Sequence, residues 1–365
     1  MNEFEWRRAV IKVGSALISP DGHQCSAKYL LAIARFITES RERGKQVVIV
    51  SSGSVAAGRG SIAHNAHPSI AEKQAMAAVG QTQMMANWSR FFDFPCAQVL
   101  LTYDDFHDRS RYVNIKSTIR ELLNNNILPI VNENDTVAVD VLKVGDNDNL
   151  AAYTAMVAEA DTLVICSDID GLYDADPRIN ADAKLIPRVD KIDGSIYALA
   201  GGPGTKVGTG GMRTKIEAAD KCAESGIQTL IVNGGKGEVF DALLDGRIPG
   251  TRFSPGKSPD SAKEQWLKHT LIATGRIEVD QGARNALKQE GASLLPIGIT
   301  RVAGDFLPGD AVEICHNGVP FAKGVTLYSA ADLNAIKGLR SDDFENAIGY
   351  SSGEAAVHRD DLALL

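Results

Sequence analysis

The chain has 365 residues, too many for one ordinary hydrophobic core, so at least two domains are expected. Its 44% apolar and 23% charged residues are those of a folded globular protein, and the net charge of -8 argues against a general binder of nucleic acid or acidic membranes. No apolar run approaches the roughly 20 residues of a membrane helix, Met1–Arg8 has no signal-peptide core, and five scattered cysteines without a CxxC pair fit reduced thiols in a cytoplasmic protein.

In chain order, Arg8–Val13 reads as a short apolar strand ending in Lys12-Val13-Gly14-Ser15. Tyr29, Leu30, Ile33, Ala34 and Ile37 recur at helical spacing, with Gly44 placed to end that helix. Gln46–Val50 is a continuous β-branched run, the pattern of a strand covered on both faces. Ser51-Ser52-Gly53-Ser54 and an alanine-rich segment follow it, then a polar loop from Gly60 to Ser69. A long helical stretch is expected from Ile70 to about Phe92, and Gln98–Leu101 as the next strand. Tyr112, Ile115, Ile119, Leu122 and Leu123 mark another helix, and Ile127–Val131 the strand after it.

The densest polar stretch comes next. Asn132-Glu133-Asn134-Asp135 leaves that strand, a short alternating segment spans 137–144, and Gly145-Asp146-Asn147-Asp148-Asn149 leads into a helical run, Leu150–Ala158. One such cluster is ordinarily a turn or cap; two joined by one short segment suit a site for a charged polar ligand. Thr162–Cys166 is a further buried strand, ending at Ser167-Asp168. Gly208-Thr209-Gly210-Gly211-Met212-Arg213-Thr214-Lys215 opens a helix reaching Ser225, and Gln228–Val232 is read as the last strand. Consecutive glycine N–H groups, two threonine hydroxyls and a lysine one turn into a helix make a phosphate cradle with a cation aimed at it.

Alternating strands and helices imply an α/β fold with a mainly parallel sheet and helices on both faces. Ligands of such sheets bind beyond the carboxyl ends of the strands, where the clusters after Val13, Val50, Val131 and Cys166 fall. Near Pro255-Gly256-Lys257-Ser258-Pro259 the pattern changes to short strands and frequent turns. Asp310–His316 and Val319–Leu327 flank Asn317-Gly318, a two-residue hairpin signal, and Pro320 is expected to confine the second strand to a sheet edge. The expected organisation is a catalytic domain over 1–257, a linker over 258–274 and a small β-rich domain over 275–365.

With these residues assembled, the chain resembles the amino-acid kinase family, and within it the branch that phosphorylates glutamate and carries a C-terminal PUA-like module. The resemblance rests on Lys12 to Ser15, Ser51 to Gly53, Asn132 to Asp135, Gly145 to Asn149 and Gly208 to Lys215, in this order and over essentially the whole length. It implies transfer of the γ-phosphoryl group of Mg²⁺-ATP to the γ-carboxylate of L-glutamate. It further implies Ser52, Gly53, Asn132, Asp135 and Asn147 at the substrate. It places Lys12, Gly14, Ser15, Ser167, Asp168, Thr209, Gly210, Gly211, Met212, Arg213, Thr214 and Lys215 at ATP. Catalysis would fall to Lys12 and Lys215, both oriented by Asp148, with Mg²⁺ on the ATP phosphates and no metal site of protein ligands. Serines at 15 and 167, where the family often has threonine, keep a hydroxyl; Ala16 is a second mild departure.

The nucleophile would be a carboxylate, ionised at neutral pH with a pKa of about 4.3, so no general base is needed. The resemblance also implies feedback inhibition by proline, at a site overlapping glutamate's and involving the Gly60–Ser69 loop, handover of the labile product to a glutamyl-phosphate reductase, and a homodimer or homotetramer. PUA modules elsewhere bind RNA, but residues 276–365 hold 8 Lys and Arg against 13 Asp and Glu, the reverse of a phosphate-binding balance.

Overall fold

The computed structural model describes residues 4–138, 147–200, 211–256 and 272–365. It divides into two compact units, Met1–Tyr103 with Lys116–Pro259, and Asp104–Ile115 with Asp260–Leu365. The elements of the first part of the chain are β1 (Arg8–Val13), α1 (Ser15–Ile18), α2 (Leu30–Glu42), β2 (Gln46–Ser51), α3 (Ser54–Gly58), α4 (Ile70–Ser89) and β3 (Cys96–Leu101). They continue with α5 (Tyr103–His107), α6 (Arg109–Asn124), β4 (Leu128–Glu133), α7 (Asn147–Val157), β5 (Thr162–Ser167) and β6 (Arg188–Val189). α8 (Gly194–Leu199), α9 (Met212–Glu224), β7 (Gln228–Asn233), α10 (Gly237–Leu244) and β8 (Thr251–Phe253) complete the set.

The strands form one sheet in the order β3-β4-β2-β1-β5-β7-β8-β6. From β3 to β7 every pairing is parallel; β8 then runs antiparallel to β7 and carries the two-residue β6 beside it. Gln228–Val232 is therefore not the last strand, as the sequence led us to expect. β8 and β6 are three and two residues long, too short for a periodic apolar signal.

Alternation along the strands sorts the two faces. Ile11, Val13, Val47, Ile49, Leu128, Ile130, Val164, Cys166, Leu230 and Val232 join α2, α4 and α10 in a single apolar cluster. The intervening residues, Lys12 among them, turn to the opposite face. Because β1 is central, Lys12 lies in register with Val50 on one side and Ile165 on the other.

Two glycines let α3 lie directly against α4. A Cβ on Gly58 would come within 1.9 Å of the Met76 carbonyl oxygen, and one on Gly80 within 1.8 Å of the Ser54 carbonyl oxygen. Both obstacles are backbone, so neither can swing away. Gly80→Ala is expected to destabilise the protein by at least about 1–3 kcal/mol, the ordinary cost of overpacking. Chemical denaturation would measure it, and an unchanged midpoint would show that the two helices can separate freely.

The second unit is built on a five-stranded sheet in the order β10-β9-β11-β12-β13, with β9 Gly275–Val279, β10 Ile299–Gly304, β11 Ala311–His316, β12 Val319–Thr326 and β13 Val357–Leu364. The Asn317-Gly318 hairpin joins β11 and β12, both turn residues having positive φ. β12 is not an edge strand, contrary to the expectation drawn from Pro320. β13 pairs with β12 only from Ala322 onward, and the β11–β12 register shifts between Ile314 and Cys315, so Pro320 sits at the hairpin end, where β13 asks for no N–H from it.

Candidate active site

Three buried ionic side chains meet at the carboxyl end of β1. α7 begins at Asn147 and so holds Asp148 in its first turn, where the helix dipole favours a carboxylate. The helix thus starts three residues before the Leu150 expected from apolar periodicity. Lys12 Nζ lies 2.7 Å from Asp148 Oδ1, and Lys215 Nζ lies 3.1 Å from Oδ2. Thr214 Oγ1 also donates to Oδ2, at 2.7 Å. Thr214 and Lys215 belong to the first turn of α9, whose N-cap is Gly211.

One carboxylate therefore sits between two ammonium groups, all buried. Burial pushes the Asp148 carboxyl up, but Lys12 and Lys215 outweigh it and hold the group at about 2. Burial pulls the Lys215 ammonium down and Asp148 opposes the pull. With both lysines charged the cluster carries an excess positive charge, on a face where a helix N-terminus adds further positive potential. Such a cluster is built to receive an anion.

Gly14 keeps the approach open. A Cβ there would lie in van der Waals contact with Lys12 Nζ, at 3.8 Å, and with the Cys166 carbonyl oxygen, at 3.7 Å, so a side chain at this position would stand beside the ammonium. Ser15 and Ala16 follow, exposed, in α1. Buried Ser167, at the end of β5, donates from Oγ to Oδ1 of exposed Asp168 at 3.2 Å. Met212 is half-buried, while Arg213 points outward and pairs with Glu217. Thr209 and Gly210 lie outside the described residues, as do most of the 137–144 segment and nearly all of the expected linker.

A second group of polar side chains gathers at the ends of β2 and β4. Gly53 takes φ 97°, and a Cβ there would lie 2.9 Å from Ile18 Cγ2, so the turn after β2 needs glycine twice over. The turn leads into α3, whose first residue, Ser54, donates from Oγ to Asp135 Oδ2 at 2.8 Å. Burial pushes the Asp135 carboxyl up and the Ser54 hydroxyl pulls it part of the way back. Asp135 has no cationic partner among the described residues. Asn147 Nδ2 donates to Asn132 Oδ1 at 2.9 Å, and buried Asn132 Nδ2 has no hydrogen-bond partner among the described residues. Ser52 and Gly53 are half-exposed beside this group.

Asn147 and Asp148, adjacent on α7, join the two groups. One end of the site is cationic and open to phosphate; the other offers a buried carboxylate and amides, the donor set for an amino acid's ammonium and carboxylate. Ser54 was not among the residues singled out from the sequence. Its place in the Ser-Ser-Gly-Ser run was the available signal: with Gly53 as the N-cap, Ser54 is the first helical residue and its hydroxyl is not used in capping.

The description "Amino acid kinase family" matches residues 7–233, a range that contains every residue of both groups. The chain belongs to the amino acid kinase family. Residues 275–348 match the PUA domain. A glutamate 5-kinase of Idiomarina loihiensis is 58% identical over 369 aligned residues, covering 100% of this chain and 99% of its own. A glutamate 5-kinase of Salinibacter ruber is 54% identical, covering 99% and 98%. Among solved structures, the UMP kinase of Ureaplasma parvum aligns with 69% of this amino acid kinase and 100% of its own chain, at 18% identity and a TM-score of 0.48, too slight a likeness to argue from.

Proposed function

We infer that this chain transfers the γ-phosphoryl group of ATP to the γ-carboxylate of L-glutamate, giving L-glutamyl 5-phosphate. The observation that carries the reading is the Lys12–Asp148–Lys215 cluster, joined through α7 to the Asp135 group, in a chain alignable from end to end with glutamate 5-kinases.

The residues fit the two substrates. Lys12, Lys215 and the backbone at Gly14 and Gly211 hold the phosphates, with Ser167 and Asp168 beside them. Asp135 takes the ammonium of glutamate, and Ser52, Gly53, Asn132 and Asn147 take its oxygens, including through the spare Asn132 N–H. An oxygen of the γ-carboxylate attacks the γ-phosphorus, and the bond from that phosphorus to the bridging oxygen of ADP breaks. The attacking group is already ionised, so no proton moves. What must be supplied is alignment and neutralisation, because an anion approaches a polyanion. Lys12 and Lys215 meet the charge on the transferring group, and Asp148 fixes both ammoniums in place. Mg²⁺ carried on the ATP phosphates supplies further neutralisation.

ADP release with Mg²⁺-ATP, compared across glutamate, aspartate, N-acetylglutamate and UMP with hydroxylamine present, tests the reading. Glutamate-dependent ADP with a matching amount of hydroxamate is the expected result. Activity with another acceptor alone would keep the phosphate site and discard the substrate.

Asp135→Asn is expected to raise the KM for glutamate about 30-fold or more, the usual loss when one partner of a buried charge pair is removed, with kcat at saturation largely kept. The carboxyl is held above its ordinary value by burial, so its ionised form costs the fold stability at neutral pH. The amide removes that cost, and the melting temperature without substrate should hold or rise. In the wild type the glutamate KM should climb as pH falls through the raised value, because a protonated Asp135 must lose its proton to meet an ammonium. A normal KM with collapsed kcat would remove Asp135 from the substrate.

Proline shares glutamate's α-carboxylate and a ring ammonium but lacks the γ-carboxylate, so it suits the Asp135 end of the site. We place its inhibitory binding there, with the Gly60–Ser69 loop, which leads from α3 into the Ser69 cap of α4. Steady-state inhibition competitive with glutamate is expected; a non-competitive pattern would move the site elsewhere. The acyl phosphate product hydrolyses readily, which favours prompt reduction by a glutamyl-phosphate reductase, and a homo-oligomer in the cytoplasm completes the proposal.

A further inference from the structure

One face of α4 carries three side-chain N–H donors at seven-residue spacing, Gln74, Gln81 and Trp88. Seven residues are about 10.5 Å and nearly two full turns of an α-helix, so the three form a single row. Two of the donors reach the ends of strands β4 and β2, and the third reaches the turn that follows β4, all bordering the substrate group. Gln74 Nε2 donates to the Thr136 carbonyl at 3.3 Å, Gln81 Nε2 to the Glu133 carbonyl at 3.2 Å, and Trp88 Nε1 to Ser51 Oγ at 2.9 Å. The two carbonyls bracket Asp135, and Ser51 immediately precedes Ser52 and Gly53.

We propose that α4 is the frame that sets the height and direction of Asp135, with Gln81 the principal positioning residue, for recognition of the substrate's ammonium. The proposal rests on the reading of the Asp135 end as the glutamate subsite. Gln81 is buried and held at both ends of its amide, since Gln98 Nε2 donates to its Oε1 at 3.2 Å from strand β3. A buried glutamine with donor and acceptor both engaged has little rotational freedom, so the Glu133 carbonyl it holds is fixed as well. Gln74, half-buried one row higher, restrains the far side of the same turn. The contact of Gly58 and Gly80 lets the same helix carry α3, and with it Ser54, the hydroxyl partner of Asp135. Both partners of the substrate-reading pair thus hang from one helix, while the lysines of the phosphate end hang from β1 and α9.

The separation of supports defines the test. Gln81→Met keeps shape and removes the amide; Gln74→Ala, at a half-buried position, leaves the core untouched. In the ADP-release assay Gln81→Met should raise the glutamate KM about tenfold, the usual effect of an unmade buried hydrogen bond, and Gln74→Ala about threefold. The KM for ATP and kcat should stay within about twofold in both. In an Asp135→Asn background the effect of Gln81→Met on the glutamate KM should vanish, because contacts acting through a shared group are not additive. Equal changes in both KM values, a fall in melting temperature with the glutamate KM unmoved, or full additivity with Asp135→Asn would overturn the proposal. A wild-type protein inert toward glutamate would overturn the proposed reaction first, and this inference with it.

Discussion

Lys215→Ala is expected to lower kcat by about 10²–10³, the usual loss when one preorganised donor to a developing negative charge is removed. The KM for glutamate should move little, since Lys215 stands at the phosphate end of the site. Stability should also survive. Lys215 is buried, desolvation already works against its charge, and Lys12 repels it across Asp148. Removing it leaves Lys12 and Asp148, 2.7 Å apart, as a neutral pair. The melting temperature should therefore stay level or rise while turnover collapses. Lys215→Arg should recover little of the loss, because a planar guanidinium cannot take the place of a compact ammonium packed against one carboxylate oxygen. Near-normal turnover in the alanine variant would remove Lys215 from the reaction, and a large drop in melting temperature would mean that the charge balance is wrong.

Placement of Lys12 at the end of a strand was legible because a short apolar strand pattern ends there, and the parallel-sheet rule says which ends matter; that the strand is central was not. The Gly-Gly-Met-Arg-Thr-Lys run was legible for a similar reason: glycines ahead of a helix with a lysine one turn in have few structural uses. That Lys12 and Lys215 share one carboxylate is a different kind of fact. It depends on alternation turning Lys12 away from Ile11 and Val13, and on α7 starting early enough to bring Asp148 over the strand end. Residues 203 apart in the chain meet only through the fold, and no local pattern announces it. The row on α4 was hidden more thoroughly. Gln74 and Gln81 look like polar residues of a solvated helix face, and only the neighbouring carbonyls give them a purpose. β6, β8 and the place of Pro320 were lost for want of length: two or three residues carry no period, and an edge rule fails when the neighbouring strand stops short of the proline.

Asp148→Asn should change stability in the opposite sense to Lys215→Ala. The carboxyl is held at about 2 in the fold against an ordinary value of 3.8, so the stability it contributes is fully present above the ordinary value and is lost as pH falls through about 2. At neutral pH the amide removes that contribution and leaves Lys12 and Lys215 buried without a counter-charge. Breaking a buried ionic cluster in this way costs about 3–5 kcal/mol. The consequence for ligands runs the other way. Taking one negative charge from the phosphate end strengthens its attraction for a polyanion, so ADP should bind at least as tightly as to the wild type. It should also raise the melting temperature by more, since the phosphates replace the missing counter-charge. Turnover should still fall, by about 10²–10³, because the two ammoniums are no longer held at the geometry the transferring group requires. Thermal shift with and without ADP, set beside kcat, reads all three effects in one set of samples. Weaker ADP binding in Asp148→Asn would mean that Asp148 meets the nucleotide through a bound cation and not as the anchor of the two lysines.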